Sequence, residues 1–154
     1  RLWKDNTGFV FGGLLIDSLV HSFFKNNQQF YNSSYGDFHE IIIAFLEFLS
    51  KKDANTNYFA LGSYQNIIDK GNGAYIKQAQ EYLKKRVIKS ALDTYTGTKV
   101  DDKEVRKFVI YLDRFVRQTT SKNDINYRIS SLYNYIVSKY SDYMEINEIV
   151  LNEN

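Results

Sequence analysis

The sequence predicts an all-α protein, and three observations carry that class. The 154 residues contain no proline, so nothing of that kind interrupts long helices. Apolar residues recur at three- and four-residue spacing along most of the chain. No two segments alternate as a convincing pair of strands. The expected architecture is a bundle of about five helices forming one domain over residues 1–154.

The elements follow in order. "RLWKDN", residues 1–6, reads as the last turn of a helix, which Asn6, Thr7 and Gly8 then break. With no methionine at its start, the chain reads as a piece of something longer. Residues 9–25 are apolar almost all round, through Leu14, Leu15, Ile16, Leu19, Val20, Phe23 and Phe24. That suits a central helix buried on several sides. A second helix is capped by Ser33 or Ser34 and ends near Lys51 and Lys52, whose charges suit the dipole. It carries Phe38, Ile41, Ile42, Phe45, Leu46 and Leu49 on one face. A third covers about residues 72–94, with Ile76, Ala79, Leu83, Val87 and Ala91 inward. Gly97 ends that segment. A fourth starts at "DDKE", with Asp101 or Asp102 as cap, and carries Val105, Phe108, Val109, Leu112, Phe115 and Val116. A fifth covers roughly residues 123–140, with Ile125, Ile129, Leu132 and Ile136 inward. The tail "YMEINEIVLNEN" reads as a short strand or a loose end.

Composition narrows the chemistry. There is no cysteine, which excludes disulfides, thiolate catalysis and cysteine-bound zinc, and suits a reducing cytoplasm. The net charge of +2 is too small to argue for nucleic acid by itself. No apolar run is long enough to span a bilayer, and no signal peptide is visible. His21 and His39 have no partner at metal-ligand spacing, and His21 reads as a core or groove residue. The run Lys84–Lys85–Arg86 reads as a solvated helix face or, second, as a phosphate contact. The tyrosines of "INYRISSLYNYIVSKY" pack in a core or against a partner or, second, stack on bases.

One short stretch, "YFALGSYQNIIDKG", invites comparison with a nucleotidyltransferase active site. Such a site needs Gly-Ser on a turn, then two carboxylates on a strand that share two magnesium ions. Asp69 is the only acid near Gly62 and Ser63. The Asp-x-Glu of Asp102 and Glu104 sits on a helix start, where acids act as capping devices. The stretch therefore reads as a turn between helices, and the chain as lacking catalytic carboxylates and metal ligands of its own.

The order of these motifs nevertheless resembles the helical C-terminal half of bacterial cyclic-oligonucleotide synthases. These are the SMODS-type nucleotidyltransferases, relatives of cyclic GMP-AMP synthase and oligoadenylate synthase. The resemblance runs through "RLWKDN", "GGLLIDSLVHSFF", "SYGDFHEIIIAFLEFLS" and "YFALGSYQNIIDKGNGAYIKQAQEYLKKRVIKSALD". It covers residues 1–94; residues 95–154 are additional helices to which it does not extend. It implies an upstream palm domain in the same protein, holding the catalytic carboxylates and Mg2+, and ribonucleoside triphosphates as substrates. The product would be a cyclic second messenger in antiphage defence. By the same resemblance, Arg1 and Lys4 meet the donor triphosphate. Gly12 and Gly13 let a helix start approach a nucleotide. Asp17 holds the place of a structural acid. Ser63 and Tyr64 shape a loop or, second, line the cleft. This chain alone would bind no cofactor and catalyse nothing. The alternative is a stand-alone helical module for a protein or RNA partner.

Overall fold

The computed structural model describes residues 2–119 and 129–152. Among them are six helices: α1 (Leu2–Thr7), α2 (Gly13–Asn26), α3 (Phe38–Ser50), α4 (Ala74–Thr96), α5 (Asp102–Thr119) and α6 (Ile129–Asn152). Short 3-10 turns lie at Gln28–Asn32, Tyr35–Asp37 and Gly71–Gly73. The described residues contain no strand, only an isolated antiparallel bridge between Phe59 and Asn66. The protein is all-α. No described helix is long and apolar enough to cross a membrane. The chain divides into two compact units, Arg1–Leu83 and Lys84–Asn154.

In the first unit, α1 ends at Gly8, whose φ of 69° is the left-handed conformation glycine adopts freely. The Gly8 N–H donates to the Lys4 carbonyl at 2.9 Å. The helix expected from Phe9 begins only at Gly13. Two consecutive glycines disfavour helix, and the stretch before them packs its rings instead. Phe9 meets Trp3 at 4.9 Å, and Phe11 stacks on Tyr75 at 5.0 Å. Helix α2 then buries one stripe, Leu15, Ile16, Leu19 and Phe23. It is not covered all round: Leu14 is 62% exposed, and His21 faces solvent rather than the core. Position 21 is two residues from both Leu19 and Phe23, which turns it away from their face.

Phe23 organises an aromatic cluster with Phe30, Phe45 and Phe48, at centroid distances of 5.8, 5.3 and 5.6 Å. Helix α3 follows a capping box at Ser34 and Asp37, in which the Ser34 N–H donates to Asp37 Oδ2 at 2.8 Å. It buries Ile43, Leu46 and Leu49, while Phe38 and Ile42, expected inward, are exposed. Tyr75 and Ala79 of α4 close this core.

The second unit packs α4, α5 and α6 around Leu92, Phe108 and Ile136. Glu104 accepts a hydrogen bond from the Tyr143 hydroxyl at 2.8 Å, and Phe108 meets Tyr140 edge-on at 5.3 Å. These pairs run α5 and α6 antiparallel. On α4 the inward residues are Ile88, Ala91 and Leu92, whereas Val87, expected inward, is 52% exposed. Of the fourth predicted stripe, Val105, Phe108, Val109 and Leu112 are buried. Ile136 is buried and Leu132 partly so, as their spacing predicts. Ile125 lies outside the described residues. The tail is neither strand nor loose end: α6 continues to Asn152, with Tyr140 and Tyr143 in the core. Ile136, Tyr140 and Tyr143 extend one helical stripe with no proline or glycine to stop it.

Candidate functional site

The candidate site lies in the first unit, at the start of α2. Gly12 is its N-cap, with φ −62° and ψ 142°, and no side chain caps the helix there. The first intrahelical bond is Ile16 N–H to the Gly12 carbonyl, at 3.0 Å. The amides of Gly13, Leu14 and Leu15 thus precede the helical ladder, at the positive end of the helix dipole. Gly12, Gly13 and Leu14 are exposed. A Cβ on Gly12 would come no nearer than 4.0 Å to any neighbour, the Asp69 carbonyl oxygen. Neither backbone conformation nor packing therefore demands glycine at this position.

The opposite holds for the segment beside it. Gly71, Asn72 and Gly73 are all left-handed, at φ 57°, 52° and 71°. A Cβ on Gly71 would sit 2.5 Å from the Val10 carbonyl oxygen, and one on Gly73 would sit 2.7 Å from Ala54 Cβ. The missing side chains let this turn press against the stretch that leads into α2. Asp69 Oδ1 accepts the Gly71 N–H at 3.0 Å, and the Lys70 carbonyl accepts the Gly73 N–H at 3.1 Å. The Gly-Asn-Gly run is a turn signal that the helix expected from about residue 72 passed over; α4 begins only at Ala74. What the sequence leaves open is which other segment the glycines approach.

The remaining candidates sit differently. Arg1 lies outside the described residues. Lys4 is on α1 and pairs with Asp5 at 3.5 Å. Trp3 holds that helix against Phe9 and Phe11. Gly62, Ser63 and Tyr64 form the tip of a tight turn closed by the Phe59–Asn66 bridge. The Ala60 N–H donates to the Gln65 carbonyl at 2.9 Å, and the Ile67 N–H to that of Tyr58 at 2.8 Å. Gly62 and Tyr64 take positive φ, 88° and 55°, and Ser63 Oγ accepts the Gln65 N–H at 3.4 Å. Tyr58, Ala60 and Ile67 anchor the turn in the core, while the Tyr64 ring is 80% exposed. Among the described residues, no hydrogen bond, ion pair or ring contact joins Lys4, Ser63 or Tyr64 to the α2 start. Asp17 is exposed on α2.

The acids of the Asp-x-Glu have structural partners. Asp101 is the cap, its Oδ1 accepting the Lys103 N–H at 3.0 Å. Asp102 pairs with Lys89 at 3.0 Å, and Glu104 holds Tyr143. Among the described residues no group of three or more His, Asp or Glu side chains is placed to hold a metal ion. No family profile, curated protein or solved structure matches this chain.

Proposed function

We propose that this chain is the helical, substrate-binding half of a nucleotidyltransferase that makes cyclic oligonucleotide second messengers in antiphage defence. In this reading the chain forms one wall of a cleft whose other wall is an upstream palm domain. That domain carries the catalytic carboxylates, binds Mg2+ and presents the nucleoside triphosphates, all in the cytoplasm. The observation that best supports it is the start of α2, where free backbone amides converge at an exposed glycine that neither its φ nor its neighbours require. Free N–H groups at a helix start favour a phosphate or ribose oxygen, and the absent side chain lets it approach.

Gly12→Asp in the full-length protein tests this with effects of opposite sign. Aspartate is a good N-cap, so the melting temperature is expected to hold or rise slightly. Its carboxylate would occupy the space and charge of the bound phosphate. Affinity for ATP and GTP by calorimetry is expected to fall by about tenfold or more, the loss of one charge-assisted contact. Unchanged affinity would rule the helix start out as a nucleotide contact. The second reading, a helical module for a protein or RNA partner, is favoured by ring pairs that reach the surface. Tyr35 stacks on Phe38 at 6.1 Å, and Tyr31 on Phe24 at 6.0 Å.

A further inference from the structure

The second unit holds an open groove of about 370 Å³ between α4 and α6. That is within the size range of small-molecule sites. From α4 it is lined by Arg86, Val87, Ser90, Ala91 and Thr94. From α6 it is lined by Leu132, Tyr133 and Ile136. The gap has a local cause. Ser90, Ala91 and Thr94 are small residues at the positions where α4 faces α6, so the two helices cannot fill the space between them.

Charge separates this groove from an ordinary packing defect. Of the other cations on these turns of α4, Lys85 is exposed and does not line the groove, and two are used structurally. Lys84 binds Asp113, and Lys89 binds Asp102 and the Val100 carbonyl. Arg86 makes no hydrogen bond or ion pair with any described residue, and none of the described residues lining the groove is acidic. The Tyr133 hydroxyl likewise has no partner among the described residues. The Thr94 hydroxyl donates along its own helix to the Ser90 carbonyl at 2.9 Å. Among the described residues, the groove therefore offers an apolar floor, an aromatic wall and one uncompensated guanidinium at its edge. A guanidinium in that position favours a carboxylate, sulfonate or phosphate oxygen, and the floor favours a flat apolar body.

We infer that the α4–α6 groove is a binding site for a small amphipathic anion, a flat apolar body bearing one acidic group held by Arg86. This goes beyond the nucleotide reading, which assigns the second unit no ligand. The test uses two dyes of similar shape, anilinonaphthalene sulfonate and the uncharged phenylnaphthylamine. Each is titrated by fluorescence into the full chain. The sulfonate is expected to saturate at one site per chain. Arg86→Gln is expected to weaken the sulfonate by about tenfold or more. The same variant should leave the uncharged dye within about twofold, because only the charged contact is lost. Ser90→Trp places a ring in the groove from an exposed position, so it should remove both dyes with the helical circular dichroism unchanged. Sulfonate binding that survives Arg86→Gln, or dye binding that survives Ser90→Trp, overturns the assignment. So does the absence of saturable binding.

Discussion

Two buried tyrosines show how much a single hydroxyl depends on its surroundings. Tyr75 is fully buried, and its hydroxyl lies beside that of Tyr58 without a well-formed hydrogen bond between them or to any other described residue. Tyr143 is also buried but donates to Glu104. Tyr75→Phe is therefore expected to leave stability unchanged or raise it by up to about 1 kcal/mol, since it removes an unsatisfied polar group. Tyr143→Phe should cost about 1.5 kcal/mol, the scale of a hydrogen bond to a charged group. Urea denaturation of both variants checks the pair. Glycines divide in the same way. Gly97 and Gly73 share a left-handed backbone, but a Cβ on Gly97 meets nothing within 4 Å. Gly97→Ala should cost about 1 kcal/mol, the backbone penalty alone. Gly73→Ala adds a clash with Ala54 and is expected to cost roughly 2–3 kcal/mol.

Among the helices, α2 carries the heart of the first core, since Leu15 and Leu19 are both fully buried. Leu15→Ala or Leu19→Ala should each cost about 2–5 kcal/mol in chemical denaturation. Leu14→Ala, one position away on the exposed side, should stay within about 0.5 kcal/mol. That contrast also marks what could be read in advance. Composition and spacing gave the α5 stripe, because Val105, Phe108, Val109 and Leu112 alternate cleanly with charge. On α2 nearly every position is apolar, so periodicity could not say which side the core covers. On α4 the inward face includes Tyr75, Ile88 and Leu92, residues that lie beside the simplest apolar stripe. Gly12 and Gly13 became candidates through the resemblance alone, since the apolar pattern predicted a helix from Phe9, ahead of them. The neighbour of the α2 start across the chain, the Asp69–Gly73 turn, was not legible, because the approach of Gly71 to Val10 is a long-range contact.

For the molecule as a whole, the phenols set the alkaline limit. Burial raises Tyr75 above its ordinary value, with a further contribution from neighbouring Tyr58. Burial also raises Tyr140 and Tyr143, each with a smaller contribution from Glu104. Their phenolates are thus disfavoured in the folded protein, and the unfolded chain loses these protons first, near pH 10. The corresponding stability is complete below about pH 10 and falls as pH rises beyond it. Thermal melts between pH 8 and 11 should show the melting temperature flat and then dropping, and a rise across that range would contradict the burial of these rings. Time acts on the molecule through one of its turns. Asn72 precedes Gly73, the pairing most prone to spontaneous loss of ammonia, when the following amide nitrogen attacks the side-chain carbonyl. Here that nitrogen donates its proton to the Lys70 carbonyl, and Gly73 is buried against Ala54. The native turn thus shields its own weak point, and the ageing of stored protein at Asn72 becomes a clock for how often that turn opens.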